Sequence, residues 1–517
     1  MIPKLTIEAY LKRPLKDWSW YKNLTDAKLA VRRDGLIEDP PIWRRLHRHQ
    51  KIGFLFGVRL KRACFWYDTG TGKSLLSLAL IRYFHKRGKL GRALVLVPNK
   101  VNKAEWAREI TKHSPRTEYE ILKGTSAEKW AALQATRALI VIETYAGFIR
   151  MMSSPQKVGR RKKRKLVPDA ARVAEASKLL DMLLLDESGG VGNHLSLTYR
   201  ICKKLSENFP YVFALNGTPF GRDPTPLWAQ MFVVDRGETL GKTLGLFRAA
   251  FFSEYINFWG GAEYTFKKRE AHKLNRMIAN RSLRYTADES DLPQVVRIKK
   301  HFDLEGQAEV YYKKALENLR KAWKGRNTRA IKNEFMRLRQ LSSGYLGYKD
   351  EDEGKSAQLA FDETPKLDLC LSLLESIVTD HKAVVFHEFT FSGTAICREL
   401  TKMGIGCARI YGGTKDTEAE LRRFTNDEDC RVLALNNHAG GLGLNLQVAR
   451  YGLYYESPVS ARMRKQTEAR IWRQGSDHSK VILYDLVMAH GVDEKILAFH
   501  AQGKSLLDAI LDGSETV

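Results

Sequence analysis

At residues 66 to 74 the chain reads Trp66-Tyr67-Asp68-Thr69-Gly70-Thr71-Gly72-Lys73-Ser74, and this stretch decides the fold. An aromatic strand end enters a glycine-rich turn, and the residues from Ser74 to Lys86 are predicted to form a helix. Glycines let backbone N–H groups wrap phosphates, and a helix N-terminus adds positive potential. The stretch therefore predicts a nucleotide-binding α/β domain whose phosphate cradle is Gly70, Thr71, Gly72, Lys73 and Ser74.

Short apolar runs alternate with helix-like segments in two separate blocks of the chain. Continuous apolar strands between helices are typical of parallel sheets that are covered on both faces. The pattern therefore predicts two doubly wound parallel sheets. The runs are Ala93–Val97, Ala138–Ile142, Met182–Leu185 and Tyr211–Leu215, followed by Ala383–Phe386, Arg431–Leu435, Tyr451–Tyr455 and Val481–Leu486.

The chain of 517 residues is too long for one core, which favours two principal domains. We predict an N-terminal accessory segment over 1–39, a first α/β domain over 40–235, and a second over 365–517. Residues 236–364 change to long charged helical stretches such as Gln307–Trp323 and Asn327–Leu341. This middle region is predicted to be a helical insertion and connector.

The chain is strongly basic, because 86 Lys and Arg residues face 59 Asp and Glu residues and the formal charge is +27. Such an excess favours a polyanionic partner, with nucleic acid ahead of anionic membrane. No apolar run is long enough to span a bilayer, and the N-terminus lacks a signal-peptide core, so a soluble intracellular protein is expected. The six cysteines form no Cys-x-x-Cys pair, which disfavours a zinc site.

A second nucleotide motif follows the first by 113 residues, where the run Met182–Leu185 ends in Asp186 and Glu187. Ligands of parallel sheets bind at the carboxyl ends of the strands. We expect Asp186 to hold Mg²⁺ together with Ser74, and Glu187 to polarise the water that attacks the γ-phosphate.

Taken together, these motifs resemble those of superfamily-two helicase-type ATPases, and within them the Swi/Snf family of DNA-dependent translocases. The resemblance covers about Leu46 to Ile496 and implies two RecA-like domains that use ATP and Mg²⁺. Gln50 stands where the family reads adenine, and Trp106 and Glu109 follow Pro98 as in the family's Trp-x-x-Glu motif. The resemblance places DNA contacts in the first domain at Pro98, Thr144, Tyr145 and Thr218.

The second domain carries the most specific match, Ala439–Leu446, which is close to the family's Ala-Gly-Gly-x-Gly-x-Asn-Leu signature. The resemblance implies that Gly440, Gly441 and Thr390 approach DNA and that Gly443 approaches the nucleotide. Gln466, Arg470 and Arg473 have i, i+4 and i+7 spacing, so they are predicted to share one helical face. We expect Gln466 to contact the nucleotide, Arg470 to contact phosphate, and Arg473 to act as an arginine finger.

Three positions depart from the family pattern. Ser188-Gly189 follows the Asp-Glu pair where the family usually has Ala-His, Asn216 replaces a hydroxyl residue before Gly217-Thr218-Pro219, and Glu456 stands where an aspartate is usual. Coupling through the family's histidine is therefore absent or rerouted.

A basic insert over 157–165 has seven Lys or Arg residues in nine positions. It is either a mobile solvated loop or a phosphate-tracking arm in which Lys162, Lys163 and Arg164 contact DNA, with a nuclear import signal as a further alternative. If it is an arm, neutralising it should reduce the salt dependence of DNA binding and leave DNA-independent ATP hydrolysis intact.

The sequence thus predicts an ATP hydrolase that is stimulated by duplex or branched DNA, translocates on it and remodels DNA or protein–DNA complexes. A strand-separating helicase acting on forks is the alternative of the same class, and an ATP-switched DNA-binding scaffold with weak hydrolysis is the alternative of another class. We expect a monomer with no membrane partner. The compact length favours a phage or bacterial origin and a cytoplasmic location, or a nuclear one in a eukaryote.

Overall fold

The computed structural model describes residues 4–24, 40–68, 70–158, 163–221, 223–256, 262–286, 293–349, 356–439, 446–472 and 478–511. The chain divides into two compact units. The first contains residues 1–290 and 503–517, and the second contains residues 291–502.

The first unit is built around a seven-stranded sheet with helices between its strands. Its described helices are α1 (Lys4–Lys12), α2 (Pro40–Arg45), α3 (Arg48–Leu60), α4 (Lys73–Lys86), α5 (Lys100–His113), α6 (Ser126–Ala135), α7 (Tyr145–Met151), α8 (Ala170–Leu179), α9 (Leu197–Asn208), α10 (Thr225–Asp235), α11 (Leu244–Phe251) and α12 (Ala271–Ile278). Its strands are β1 (Arg62–Tyr67), β2 (Ala93–Val97), β3 (Tyr119–Ile121), β4 (Ile140–Thr144), β5 (Ser153–Val158), β6 (Lys163–Pro168), β7 (Met182–Leu185), β8 (Tyr211–Leu215), β9 (Phe252–Ile256), β10 (Ala262–Phe266) and β11 (Ser282–Tyr285).

The main sheet of the first unit has the strand order β11-β1-β8-β7-β2-β4-β3, and every pairing in it is parallel. Alternate residues of β1 enter two different apolar cores. Cys64 and Trp66 pack on one face, whereas Phe65 and Tyr67 pack on the other. This alternation explains why the strand is apolar throughout: both of its faces are covered.

The N-terminal segment packs on the first unit. Tyr10 of α1 is buried, and its hydroxyl donates to the carbonyl of Leu240 at 3.2 Å. Tyr21 is also buried and meets Phe56 edge to face with ring centroids 5.7 Å apart. The described parts of this segment therefore extend the core of the first unit.

The basic insert forms part of a β-hairpin. Strands β5 and β6 pair antiparallel from Ser153↔Pro168 to Val158↔Lys163. Lys162 lies outside the described residues, and for Lys163 and Arg164 only the backbone is described. The flanks of the insert thus have regular strand geometry, which the sequence reading as a loop did not anticipate.

The second unit contains the other parallel sheet and a helical hairpin. Its described helices are α13 (Gly306–Lys324), α14 (Thr328–Ser342), α15 (Pro365–Val378), α16 (Thr390–Lys402), α17 (Thr417–Asn426), α18 (Ala461–Ile471) and α19 (Val492–Leu511), the last of which runs into the residues grouped with the first unit. Its strands are β12 (Gln294–Phe302), β13 (Tyr345–Lys349), β14 (Ser356–Ala360), β15 (Lys382–His387), β16 (Gly406–Ile410), β17 (Cys430–Asn436), β18 (Ala449–Tyr454) and β19 (Lys480–Met488).

The sheet of the second unit has the strand order β12-β19-β18-β15-β17-β16, and its pairings are also all parallel. Val384 and Phe386 of β15 pack into one core, and Ala383 and Val385 pack into another. The prediction of two doubly wound α/β units of RecA type is confirmed.

The region 236–364, expected to be helical, is shared between the two sheets. Strand β11 pairs with β1 in the first sheet, and β12 pairs with β19 over nine residue pairs in the second. Strand β12 mixes charged and apolar residues at the edge of its sheet, so it lacks the continuous apolar run by which the buried strands were predicted. The helical hairpin α13–α14 lies near the predicted bounds.

The cysteines are all reduced, but two of them are neighbours in space, with the Sγ atoms of Cys397 and Cys407 2.9 Å apart. Among the residues that the structure describes, no group of three or more His, Cys, Asp or Glu side chains is arranged to hold a metal ion. Within the same described part of the chain, none of the helices combines the length and apolar character needed to cross a membrane.

Candidate functional site

The predicted nucleotide and DNA residues of the main sheet of the first unit lie at its carboxyl edge. Strands β1, β8, β7, β2 and β4 are consecutive neighbours in the sheet, and all five run in the same direction. The loops that follow them therefore lie side by side at one edge. These loops carry the glycine-rich turn, Thr218, Asp186 and Pro98, and Thr144 is the last residue of β4 at the same edge.

The glycine-rich turn has the backbone of a phosphate cradle. Gly70 and Gly72 have φ angles of 86° and 74°, which side-chain-bearing residues rarely adopt, and Gly72 is the N-cap of α4. Lys73 is buried, and its ammonium group donates to the carbonyls of Tyr67 at 3.0 Å and Asp68 at 3.2 Å. The ammonium is thus held over the turn at the N-terminus of a helix, where anions bind.

Gln50 and His49 close over this turn from α3. The Gln50 side-chain amide donates to the carbonyls of Thr71 at 3.2 Å and Gly72 at 3.0 Å, while its oxygen accepts from the backbone of His47. His49 Nε2 donates to Thr71 O at 2.8 Å, and its ring stacks on Tyr285 at 3.9 Å. Burial lowers the pKa of His49 to about 4, so the ring is neutral at physiological pH. Gln50 therefore lies against the glycine-rich turn, and its predicted reading of adenine would require its amide to exchange these bonds.

Asp186 is held by two aromatic side chains. Trp106 Nε1 donates to its carboxylate at 2.9 Å, and the Tyr145 hydroxyl donates to its backbone carbonyl at 2.9 Å. Withdrawal from water and the charge of Glu187 raise the pKa of Asp186 to about 7, against smaller lowering effects of Trp106 and Lys73. A carboxyl group of this kind gains from a nearby cation.

Glu187 follows Asp186 in an unusual backbone conformation, with a φ of 49°. Left-handed backbone at a non-glycine residue is strained and clusters at functional sites. The glycine cradle, Lys73, Ser74 in the first turn of α4 and this carboxylate pair form a donor set of the right chemistry for a nucleotide with Mg²⁺. The residues present therefore fit both groups.

The environment of Asp186 makes the stability of the fold depend on pH. The pKa of the Asp186 carboxyl is about 7 in the folded protein, above its ordinary 3.8. Ionisation of this carboxyl therefore lowers the free energy of unfolding progressively as the pH rises from 3.8 to about 7. At one pKa unit per 1.36 kcal/mol the penalty is at most about 4 kcal/mol, and remaining solvent contact reduces it. Asp186→Asn should therefore raise the free energy of unfolding by roughly 1–3 kcal/mol at pH 8 and by little near pH 4.

The measurement is thermal unfolding of both proteins at several pH values in Mg²⁺-free buffer. Glu207→Gln is the control, because Glu207 is an exposed carboxylate of the same unit. A difference between Asp186→Asn and the parent chain that does not grow with pH would contradict the assignment.

Arg284 ties the glycine-rich turn to two neighbouring strands. Its side chain is buried, and one guanidinium nitrogen lies 3.1 Å from Asp68 Oδ1, 3.2 Å from Trp66 O and 3.0 Å from Gly217 O. The start of the nucleotide turn and the Gly-Thr-Pro turn therefore share one cation.

Gln230 joins two of the three positions that depart from the family pattern. Its side-chain oxygen accepts from Ser188 Oγ at 2.7 Å and from Asn216 Nδ2 at 3.1 Å. Its nitrogen donates to the carbonyl of Pro219 at 2.6 Å. All three side chains are buried. A hydrogen-bonded bridge thus runs from the residue after Glu187 to the Gly-Thr-Pro turn.

The predicted DNA residues of the first unit lie at this edge with different exposure. Pro98 is exposed and Thr218 is partly exposed. Thr144 is mostly buried and caps α7 by accepting from Gly147 N at 3.0 Å, and Tyr145 is mostly buried against Asp186. Thr144 and Tyr145 consequently present little side-chain surface in this structure.

The carboxyl edge of the second sheet has its own polar network, centred on Glu456. The Glu456 carboxylate accepts from the backbone N–H of Glu388 at 2.7 Å and from Ser392 Oγ. Asn437 Nδ2 donates to the Glu388 carboxylate at 3.0 Å. Glu456 therefore fixes the start of α16, where Thr390 is exposed. The longer side chain in place of aspartate makes a complete set of contacts.

Helix α18 is anchored by a buried arginine that the sequence did not single out. Arg464 pairs with both oxygens of Asp485, donates to Glu468 at 2.7 Å and to Ser457 at 2.9 Å, and stacks over Tyr454. In the sequence it stands among basic residues that could all be solvated. The arginine instead fixes the orientation of the helix that carries Gln466 and Arg470.

The predicted helical face holds for two of its three members. Gln466 is partly exposed and Arg470 is buried, four residues apart on α18. The helix ends at Ile471, and Arg473 lies outside the described residues. Gly440, Gly441 and Gly443 also lie outside them. Their predicted roles stay predictions.

Gln230 and Arg464 make several buried hydrogen bonds but were not predicted from the sequence, for different reasons. Gln230 is a lone amide in the apolar helix Thr225–Asp235, which is a usable signal of a buried polar bridge. Arg464 has no such signal, because its carboxylate partner Asp485 lies 21 residues away.

Two protein families match the chain. The SNF2-related domain matches residues 49–345, and the helicase conserved C-terminal domain matches residues 365–475. The transcription regulatory protein SNF2 of Saccharomyces cerevisiae is 24% identical over 457 residues, which cover 83% of this chain and 25% of that protein. The ATP-dependent helicase brm of Drosophila melanogaster is 24% identical over 465 residues, which cover 83% of this chain and 27% of that protein.

The chain spans about a quarter of the length of these curated relatives. Among solved structures, the SWI2/SNF2 ATPase core of Sulfolobus solfataricus in complex with double-stranded DNA is similar, with 20% identity and a TM-score of 0.40. That match covers 92% of this chain and 95% of the other.

Proposed function

This chain belongs to the SNF2-related family of ATPases, and from that premise we propose that it is a DNA translocase that hydrolyses ATP in response to duplex or branched DNA. The proposal includes remodelling of DNA or of protein–DNA complexes as the outcome of that movement. The expected phage or bacterial origin is not part of it, because the relatives from Saccharomyces cerevisiae and Drosophila melanogaster give it no support.

The observation that carries the proposal is the carboxyl edge of the first sheet. There the glycine-rich turn, the Asp186-Glu187 pair and the Gly-Thr-Pro turn follow adjacent strands. Arg284 joins Asp68 to Gly217, and Gln230 joins Ser188, the neighbour of Glu187, to the residues around the Gly-Thr-Pro turn. A nucleotide site that only binds needs no such connection. A motor needs one, because nucleotide state must reach the groups that hold its track.

We assign the following tasks to residues of this edge. Lys73 and the backbone of Gly70–Gly72 hold the phosphates of ATP, and Ser74 and Asp186 hold Mg²⁺, which neutralises phosphate charge when bound. Glu187 orients and polarises the attacking water. Gln50 exchanges its bonds to the turn for contacts to the base. Gln466, Arg470 and Arg473 are assigned to the same nucleotide on the strength of the family resemblance alone.

DNA binding is assigned first to phosphate contacts, since the chain carries a net charge of +27. Pro98 and Thr218 of the first unit and Thr390 of the second are the exposed or partly exposed candidates among the described residues. The hairpin formed by β5 and β6 gives the basic insert a defined base from which to follow a phosphate backbone. Contacts to the backbone make movement largely independent of base sequence.

Replacing Gln230 should separate ATP hydrolysis from its stimulation by DNA. Gln230→Met keeps the side-chain length but removes the hydrogen bonds of the Gln230 amide to Ser188, Asn216 and Pro219. We expect DNA-stimulated turnover to fall about tenfold and DNA-independent turnover to change less than about threefold, because Glu187 and Lys73 remain in place.

Ser188→Ala cuts the same bridge at its other end and should lower DNA-stimulated turnover in the same direction as Gln230→Met. The matched control is Gln134→Met, which alters an exposed glutamine of the same unit and should behave nearly as the parent chain. Equal loss of both activities in Gln230→Met, at an unchanged unfolding midpoint, would show that the bridge serves the ATP site alone.

Two other functions compete with this proposal. A strand-separating helicase would act on the same DNA but leave single strands as its product. An ATP-switched scaffold would bind DNA with little turnover. The three departures from the family pattern favour the scaffold only weakly, because each makes a full set of contacts here.

The experiment is steady-state ATP hydrolysis without nucleic acid and with duplex DNA, branched DNA, single-stranded DNA or RNA, with Glu187→Gln as the blank. The proposal predicts strong stimulation by duplex or branched DNA. Stimulation by single strands alone would favour the helicase, and turnover no higher than the blank under every condition would favour the scaffold.

A further inference from the structure

We propose that the tip of the helical hairpin α13–α14 is a second DNA site, which stacks Trp323 on unpaired bases at forks and branches. The inference rests on the proposed function and names a substrate feature that the family resemblance does not assign. It concerns only the second unit, in which the whole hairpin lies.

Trp323 is the most exposed aromatic side chain among the described large hydrophobic residues, at 71% of its full surface. It stands in the last turn of α13. The base of the hairpin is packed, with Ala308, Tyr312 and Ala315 buried. From Ala315 to the end of the helix, roughly 13 Å further on, no residue of α13 is buried. The hairpin therefore carries the indole away from the core of the unit.

A single exposed apolar side chain is ordinary on a protein surface. What distinguishes Trp323 is the charge around it. The segment 318–333 contains six basic residues and no acidic one, and all six are exposed. They are Arg320, Lys321, Lys324, Arg326, Arg329 and Lys332. The acidic residues of the hairpin, Glu309, Glu317 and Glu334, lie nearer its base.

The basic residues are placed to act with the indole. Arg320 precedes Trp323 by three positions, so the two side chains share a face of α13. Arg329 and Lys332 share a face of α14 by the same spacing. The tip thus presents the indole beside the guanidinium of Arg320 on α13, and further exposed guanidinium and ammonium groups on α14. This combination is what sequence-tolerant binding of single-stranded nucleic acid uses.

The tip is held in one conformation by its own backbone. Gly325 N donates to Lys321 O at 2.9 Å, Arg326 N donates to Trp323 O at 3.0 Å, and Asn327 N donates to Ala322 O at 2.9 Å. Asn327 then caps α14 by accepting from Ala330 N at 3.1 Å. Since these bonds exist before any ligand binds, little ordering of the tip is required on binding.

The chemistry of the tip selects unpaired bases over intact duplex. In duplex DNA the base faces are already stacked on each other, and an aromatic side chain gains access only at an end, a fork or a branch. Phosphates flanking such a base would meet the basic residues. The tip therefore favours branched over unbranched DNA, which is a preference that phosphate contacts elsewhere in the chain cannot supply.

The test compares the parent chain, Trp323→Ala and Trp323→Phe for binding to a blunt duplex and to a forked duplex with 2-aminopurine in one unpaired arm. Binding is followed without ATP. Trp323→Ala should bind the fork about tenfold more weakly and the duplex within twofold, and should lose the quenching of 2-aminopurine that stacking causes. Trp323→Phe should keep most of both, and Val310→Ala, which alters an exposed apolar residue near the base of α13, should change neither.

Equal weakening on both DNAs, or unchanged quenching in Trp323→Ala, would overturn the inference. Unaltered affinity for both DNAs would do the same and would leave the tip as a surface for a protein. Failure of the proposed function is distinguishable, because it would appear as absent ATP turnover with DNA in the parent chain, whereas stacking is measured without ATP.

Discussion

Lys73→Ala and Glu187→Gln are each expected to reduce ATP turnover by at least about 100-fold, with or without DNA. Lys73 is the cation that α4 presents at the glycine-rich turn, where its ammonium group already meets the carbonyls of Tyr67 and Asp68. Without Lys73, the negative charge of the ATP phosphates loses its nearest positive partner in the first unit. Removal of a single donor of this kind typically lowers the rate by 10²–10³-fold. Glu187→Gln keeps shape but cannot polarise water as a carboxylate does.

The two variants should differ in ATP binding. Glu187→Gln should retain it, because the phosphate cradle is intact, whereas Lys73→Ala should weaken it. Steady-state turnover and binding of a fluorescent ATP analogue measure the two effects. Lys86→Ala is the matched control, since Lys86 is exposed at the far end of the same helix. Turnover within tenfold of the parent chain in either test variant would contradict the assignment of the catalytic residues to the carboxyl edge of the first sheet.

Arg473→Ala belongs to the same set through the family resemblance. Arginine fingers contribute 10³–10⁵ to turnover in related phosphoryl-transfer enzymes. Loss of turnover in this variant is expected while Lys73 and Glu187 remain. Retained turnover would reject the finger assignment and leave Arg470 as the candidate.

Arg464→Ala should destabilise the second unit by about 3–5 kcal/mol, which lowers its thermal midpoint by on the order of 10 °C. The change leaves Asp485 and Glu468 without the guanidinium that both contact, in a site where Tyr454 excludes water. Lysine cannot rescue the variant, because its ammonium group lacks the planar fork that meets both oxygens of Asp485. The measurement is thermal or urea unfolding followed by circular dichroism.

The loss should depend on pH in a defined direction. Burial opposes ionisation of Glu468, but the charges of Arg464 and Arg297 outweigh it and hold the pKa of this carboxyl below its ordinary 4.5. A carboxyl whose pKa is lower in the folded protein than in the unfolded chain stabilises the fold at pH values above its unfolded pKa. This stabilisation is lost as the pH falls through the folded pKa. The difference between Arg464→Ala and the parent chain should therefore be largest near neutral pH and shrink below about pH 4.5.

Arg422→Ala is the control for this experiment, because Arg422 is an exposed arginine on α17 of the same unit. It should shift stability by no more than about 0.5 kcal/mol. A similar small effect of Arg464→Ala would show that α18 is oriented by its apolar contacts alone.

Much of the fold could be predicted because its central strands are apolar on both faces. The runs Ala93–Val97, Met182–Leu185 and Tyr211–Leu215 are strands with those bounds, and the helix after the glycine-rich turn begins at Lys73. Edge strands were harder to find. Strand β12 mixes exposed and half-buried residues over most of its length, and β16 is a short strand with similarly mixed burial, so neither has the pattern of a central strand.

The residues of the candidate site also differ in how well the sequence predicts them. Residues that act through backbone geometry or a local motif, such as Gly72, Lys73 and Asp186, could be placed from spacing. Residues that act through distant partners could not. Arg284 meets Asp68 across 216 positions, and Gln230 meets Ser188 across 42. Such pairs follow from strand order, which a single sequence does not specify.

The proposal of a DNA translocase is tested most directly by displacement of a third strand from a triplex placed at one end of a long duplex. Movement along the duplex predicts displacement that requires ATP, is absent in Glu187→Gln, becomes slower as the duplex ahead of the triplex lengthens, and leaves the two duplex strands paired. ATP hydrolysis stimulated by duplex without any displacement, or displacement accompanied by separated duplex strands, would contradict it.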